Sequence, residues 1–263
     1  MMADCGDEVV LGYYQIRGLG SFVRLALAEA GVKYTEKRYG RGIPWATGDR
    51  NTLGLALPNL PYLIHDDVQI SEMQSILRYI AETWADRLLG GSRRERALQD
   101  NVLTYIISCN NNLRAWAYGY LPQTNTITGK QRGMTGFLSI NGVDSPDAQS
   151  HMRAVAMEQV RELLSPKTLT NLQGIPADAP HTGPFIFGPL PTLADLALYE
   201  HAGLCRCINA EMFDQVPGLS EHCAAVEALP RVAALLASDT WVHVPFNAPF
   251  VRYEYSACIA ILL

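Results

Sequence analysis

The 263-residue chain has no run of about 18 uninterrupted apolar residues, so no membrane-spanning helix is expected. It has no basic excess either. Its 21 Lys and Arg stand against 26 Asp and Glu, a formal net charge of −5. A nucleic-acid groove normally needs a basic face, and an anionic membrane attracts polybasic segments, so neither partner is expected. Residues 1–8 are acidic and lack the basic and apolar regions of a secretory leader, so none is expected there. There are six cysteines but no Cys-x-x-Cys, and six histidines but no His-Glu-x-x-His. No metal site is therefore expected. A chain this long can build a core without disulfides. The cysteines read as free thiols of a reduced, cytoplasmic protein. Internal repeats and low-complexity tracts are also missing.

What is present is the composition of a globular protein: 48% apolar and 18% charged residues. The length fits one large or two small domains. Residues 9–14 (VVLGYY) are β-branched and aromatic and read as a strand. Gly18 to Ser21 is a turn. Phe22, Leu25, Ala26 and Ala30 then recur at helical spacing, and Gly31 is a stop. Residues 34–39 alternate as a second strand. Residues 40–58 read as a loop. Pro61 to Ile64, the pair Asp66-Asp67, and Val68 to Ile70 read as a hairpin. Met73, Ile76, Leu77, Ile80, Ala81 and Trp84 mark the most regular helix. The order is βαβ, then ββα.

Residues 89–94 are breaker-rich and read as a linker. Beyond them the pattern is helical. Leu98, Val102, Ile106, Cys109, Leu113 and Trp116 stripe one long helix, with Cys109 an inert thiol on its apolar face. Residues 152–164 form another helix. Residues 122–150 and 165–191 are rich in Gly, Pro, Thr and Asn and read as loops. Thr192 and Asp195 open the next helix as a capping box. In it the Thr192 hydroxyl accepts from the Asp195 amide, and the Asp195 carboxylate reaches back to the Thr192 amide. Val226, Leu229, Val232, Leu235 and Leu236 mark a late helix, bent or restarted at Pro230. The tail, 246–263, is apolar enough to pack back onto the body.

Leu11-Gly12-Tyr13-Tyr14-Gln15-Ile16-Arg17-Gly18-Leu19, Pro58-Asn59-Leu60-Pro61-Tyr62-Leu63-Ile64, Ile76-Leu77-Arg78-Tyr79-Ile80-Ala81 and Thr192-x-x-Asp195 occur in a particular order and spacing. Together they resemble the cytosolic glutathione transferases, mu class in particular. The resemblance spans about residues 9–90 and 190–240. It implies an α/β fold joined to an all-α one: a thioredoxin-like βαβ-ββα domain over 1–90 that binds glutathione, then a helical domain over 91–263 that carries the electrophile site and an extended tail.

The resemblance also implies a site. A free thiol of pKa ~8.5 is only a few per cent ionised at neutral pH, and a donor aimed at the sulfur favours the thiolate. Tyr13 is the implied catalytic donor, at the C-terminal end of the first strand, where open α/β sheets place ligands. Read alone, Tyr13 is equally a half-buried strand aromatic. Tyr14, where most mu sequences have Trp, reads as a substrate contact or as packing. Leu60-Pro61 implies a cis bond that presents Leu60 backbone to glutathione, with Asn59 beside it. Arg50, counted back from Asn59, aligns with a family lysine that binds the glycyl carboxylate, and Trp45 lies one position from a family loop tryptophan, in a loop shorter than the mu-class one by about six residues; surface charge and loop packing are the plain alternatives. Glu72-Met73 stands where the family has Gln-Ser or Glu-Ser for the γ-glutamyl group. Glu72 can attract the α-amino group, whereas Met73 offers only its amide, at a helix N-terminus. The mu-class acidic residue that reaches the neighbouring subunit's site falls near Ser108. Tyr118 matches a tyrosine that assists the electrophile, or else packs.

The implied activity is that of a glutathione S-transferase working in detoxification. Its partners are glutathione, as cosubstrate, and small hydrophobic electrophiles. No metal or redox cofactor is implied, and the molecule is expected to be a homodimer. Two rival readings stay open: a sigma-type glutathione-dependent isomerase, and a non-catalytic binding or structural relative.

Overall fold

The structure is a computed structural model that describes residues 8–40, 45–117, 146–175, 180, 182–208 and 210–243. β1 (Val9–Tyr14), β2 (Thr35–Tyr39), β3 (Tyr62–His65) and β4 (Val68–Ser71) form one mixed sheet in the order β2-β1-β3-β4. β1 runs parallel to β2 and antiparallel to β3, and β3 runs antiparallel to β4. Gly12 lies opposite Tyr62, and a Cβ on it would sit 2.1 Å from the tyrosine ring. That position has room only for glycine. In the hairpin, His65 pairs with Val68 across Asp66 and Asp67. Asp66 takes φ +51, a region that Asp visits more readily than most residues.

α1 (Gly20–Ala30) connects β1 to β2 and ends at Gly31, which takes φ 78. Nearly all of α1 is buried, Arg24 included, because it packs on α2 on one side and on the helical part on the other. α2 (Met73–Trp84) buries the expected stripe of Met73, Ile76, Leu77, Ile80 and Ala81.

The helical part departs from the sequence reading at its boundaries. α3 (Arg93–Ala117) starts inside the segment read as linker. Its cap explains why: Ser92 Oγ accepts from the Glu95 amide at 3.1 Å, and the Glu95 carboxylate accepts from the Ser92 amide at 3.1 Å and the Gly91 amide at 2.7 Å. This Ser-x-x-Glu box satisfies the Glu95 amide of the first turn and the two amides just before the helix, even though two glycines directly precede it. α4 (Pro146–Leu163) and α5 (Pro166–Gln173) likewise begin inside stretches read as loops. α5 has Ser165 as N-cap, Pro166 in its first turn and Gly174 as a left-handed stop. Proline and glycine here punctuate a short helix rather than exclude one.

α6 (Leu193–Ile208) shows half of the expected box. The Asp195 carboxylate accepts from the Thr192 amide at 2.8 Å, but the Thr192 hydroxyl donates to that carboxylate instead of accepting from the Asp195 amide. The Asp195 amide bonds to the Thr192 carbonyl, at 3.1 Å. Asp195 also takes the Ile186 amide, at 2.8 Å, and so fastens the preceding segment. α7 (Ala210–Asp214), α8 (Leu219–Glu227) and α9 (Pro230–Leu236) follow, with the restart at Pro230 as expected. One apolar cluster runs from Leu11 and Leu63 of the sheet through Ile76 and Ile106 to Leu198 of α6. The tail, 246–263, lies outside the described residues. Cys109, Cys205 and Cys223 are free thiols, whereas Cys207 is disulfide-bonded, contrary to the expectation of free thiols throughout.

Candidate functional site

Tyr13 occupies the C-terminal end of β1 and is 3% exposed. Its hydroxyl oxygen accepts the Leu19 N–H at 2.9 Å, across the turn that leads into α1. Accepting this bond polarises the hydroxyl and makes it a stronger donor. Arg24 sets the turn from below. It is fully buried, and its guanidinium collects the carbonyls of Ile16 at 2.9 Å, Tyr14 at 3.3 Å and Arg17 at 3.5 Å. Glu36 of β2 balances its charge, at 2.6 and 2.9 Å. The guanidinium carbon also lies 5.9 Å from the Tyr13 ring centre.

The second part of the site is the segment before β3. The Leu60-Pro61 bond is cis, as the resemblance implied. The Leu60 side chain is buried in one cluster with Tyr13, Tyr39, Trp45 and Tyr62. Asn59 donates to the Glu72 carboxylate at 2.8 Å, and the Ser71 hydroxyl donates to the Leu57 carbonyl. These two bonds fasten the 57–61 segment to the start of α2. Glu72 takes φ 69 as the helix N-cap, with no side-chain acceptor for the first-turn amides. Those amides and the helix dipole form an anion-favouring end. The Met73 side chain turns away from it and is 5% exposed within the main core.

The third part is the loop after β2. Trp45 is buried, stacked on Tyr62 at 5.8 Å and edge-on to Tyr39 at 5.3 Å. The Tyr39 hydroxyl donates to Asp49 at 2.5 Å, and Lys37 pairs with the same carboxylate. Lys37, with Tyr39 second, holds the Asp49 carboxyl below its usual range, while burial pushes the Tyr39 hydroxyl up. The loop is thus pinned to β2, with Arg50 exposed beyond the pin and its amide 3.3 Å from the Trp45 carbonyl.

Asn59, Leu60, Pro61, Glu72 and the Met73 amide are therefore brought together, and Leu60 and Trp45 share a cluster with Tyr13. Tyr14 is 41% exposed at the end of β1, its ring edge-on to Tyr13 at 5.8 Å. Ser108, on α3, donates its hydroxyl to the Thr104 carbonyl at 2.9 Å. Tyr118 lies outside the described residues. Sequence reasoning missed Arg24, Glu36, Asp49 and the Leu19 amide. A signal existed for Arg24, the one charge between Gly18 and Ala28 in a stretch that is otherwise apolar or small. The Leu19 amide has no side-chain signature. Among the described residues, no three of His, Cys, Asp or Glu converge as metal ligands, and no helix is long and apolar enough to cross a membrane.

Comparison with known proteins gives consistent matches. Residues 9–82 match the glutathione S-transferase N-terminal domain, and residues 146–239 match the glutathione S-transferase C-terminal domain. A glutathione S-transferase of Tyrophagus putrescentiae is 29% identical over 253 residues, covering 94% of this chain and 97% of that one. The class-mu 26 kDa isozyme 1 of Fasciola hepatica is 29% identical over 239 residues, 90% of each chain. Human glutathione S-transferase Mu 3 is 26% identical over 259 residues, 95% of this chain and 96% of its own. The crystal structure of the glutathione S-transferase Blo t 8 superposes with a TM-score of 0.70 at 22% identity, over 93% of this chain and 99% of that one.

Proposed function

The chain belongs to the glutathione S-transferase family, and from that premise we propose that it joins the thiolate of reduced glutathione to small hydrophobic electrophiles. Residues 1–90 form the glutathione-binding domain, and residues 91–263 supply the electrophile site. The observation that carries this reading is the bond from the Leu19 N–H to the Tyr13 hydroxyl oxygen, 2.9 Å long, on a side chain only 3% exposed. A hydroxyl polarised in this way donates to the sulfur anion and favours it over the thiol. The thiol proton passes to solvent and the sulfur lone pair forms the S–C bond. The leaving group departs with its electron pair, or remains attached where the electrophile is a strained ring.

The peptide of glutathione lies along Leu60, whose backbone it meets in extended form. Its γ-glutamyl end lies at the start of α2, where Glu72 attracts the amino group and the Met73 amide receives the carboxylate. Arg50 and Trp45 hold the glycyl end. Tyr14 and Tyr118 contact the electrophile. The molecule is a cytoplasmic homodimer acting in detoxification, with glutathione as its cosubstrate.

The test is Tyr13→Phe. Losing a hydrogen bond to a charged group weakens the thiolate by about 1.5–3 kcal/mol, which is roughly 10- to 100-fold in turnover at neutral pH. Raising the pH recovers part of the loss, and glutathione affinity changes little. The measurement is the pH–rate profile with saturating glutathione and a chromogenic aryl halide. An unchanged rate and thiol pKa would remove Tyr13 from the chemistry. One observation favours the non-catalytic reading: the Met73 side chain lies in the core, so no hydroxyl meets the α-carboxylate at that position. Retention on immobilised glutathione without turnover would select it.

A further inference from the structure

Arg17 stands in the turn 15–19 between β1 and α1. Its guanidinium forks onto Glu200 of α6, with Nε 3.1 and 3.2 Å from the two carboxylate oxygens and Nη2 2.5 Å from Oε2. The two side chains are 11% and 3% exposed. The same guanidinium lies 4.9 Å over the ring of Trp241, beyond α9. On the backbone side, the Arg17 carbonyl accepts from the Ser21 amide at 3.0 Å, and two residues further on the Leu19 N–H meets the Tyr13 hydroxyl. The sheet end, α6 and the segment after α9 therefore meet on one side chain beside the tyrosine.

Stability is a poor account of this pair. Burying two charges is expensive, and apolar residues of the same volume are often equally stable. What a bidentate fork supplies is direction. The turn needs direction from outside, because Gly18 lies between Arg17 and Leu19 at φ +42, and glycine is the residue with the widest backbone freedom.

We propose that Glu200 is a positioning residue: acting through Arg17, it fixes the 15–19 turn so that the Leu19 N–H stays on the Tyr13 hydroxyl. The donor strength of Tyr13 then depends on the helical part being docked on the sheet. The proposal rests on the reading of Tyr13 as the thiolate's donor. Desolvation pushes the Glu200 carboxyl up, while Arg17 and Arg24 pull it down; Tyr199 also faces it.

The experiment is a double-mutant cycle of Glu200→Gln and Tyr13→Phe, with glutathione and a chromogenic aryl halide. Each variant is first checked for a native melting transition. Glu200→Gln is expected to lower kcat roughly 10-fold, on the scale of a displaced catalytic group. The thiol pKa should rise, with the KM for glutathione changed by less than about two-fold. In the Tyr13→Phe background the same substitution should add less than about two-fold, because the group it positions is gone. An equal loss in both backgrounds, or an unmoved pH profile, would show a merely structural pair and overturn the proposal. If Glu200→Gln does not fold, the joint replacement Arg17→Met with Glu200→Leu takes its place in the cycle, and a wild-type rate in that variant overturns the proposal. A Tyr13→Phe variant with full activity is a separate result. It removes the reading of Tyr13, and the proposal with it.

Discussion

Single residues in this chain take their properties from what surrounds them. The Tyr13 hydroxyl accepts a backbone amide and its ring lies near a buried arginine, surroundings that the strand alone would not supply. Met73 carries no chemistry in its side chain because that side chain fills the core, so a serine there would leave a hole rather than a useful hydroxyl. His201 shows the same dependence in a titration. It is fully buried on α6, its Nδ1 finds no partner among the described residues, and its Nε2 is 3.6 Å from Cys205 Sγ. Burial pushes its pKa down to about 4. The unfolded chain, with an ordinary imidazole near pH ~6.5, then binds the proton that the folded chain refuses. Stability from this group is complete above pH ~6.5 and is lost as the pH falls towards 4, at up to about 1.4 kcal/mol per unit. His201→Leu should flatten that part of the acid limb in chemical-denaturation curves taken across the range. Wild-type and variant curves that run parallel would assign the acid sensitivity to other groups.

Among the elements, the capping residues decide where the helices lie. Ser92 with Glu95 starts α3 within a glycine-rich stretch, and Ser165-Pro166 with Gly174 delimits α5. Asp195 reaches further, since one buried carboxylate holds the Thr192 amide, the Thr192 hydroxyl and the Ile186 amide. Asp195→Ala should leave two buried amides without acceptors, at about 1–3 kcal/mol each. A stability lower by about 2–6 kcal/mol, read as a reduced urea midpoint with an unchanged m-value, is the expected outcome. Asp195→Asn should recover part of it, because the amide oxygen can still accept. A variant with the wild-type midpoint would mean that the Ile186 segment finds other partners.

Across the whole molecule, the sheet and the helical part share one apolar cluster and several polar ties. Arg17 joins Glu200, Arg231 donates to the Glu29 carbonyl at 3.0 Å, and Arg38 donates to the Thr240 carbonyl. Exposing one part would open apolar surface on the other. Unfolding should therefore be a single transition, with far-UV circular dichroism and tryptophan fluorescence coinciding. Trp45 and Trp84 report on the sheet part, and Trp241 on the helical part. Two separated transitions would show that the shared cluster is too weak to couple them.

The sequence by itself determined the βαβ–ββα order, the helical second half, the cis Leu60-Pro61 segment and Tyr13 at a strand end. All but one rest on local pattern, alternation in the strands and the 3.6-residue stripe from Met73 to Trp84; the cis bond was implied by the resemblance of the Asn59-Leu60-Pro61-Tyr62 segment to the family. Helix starts at Arg93, Pro146 and Pro166 were illegible because breaker residues serve both loops and caps, and only the neighbouring backbone decides between them. The tertiary structure alone decided which charges are buried and with whom. Arg24 with Glu36, and Arg17 with Glu200, are 12 and 183 positions apart. No sequence period links such partners. Their pairing follows from how α1 is enclosed between the sheet and α6, where a charge without a partner would be too costly to bury.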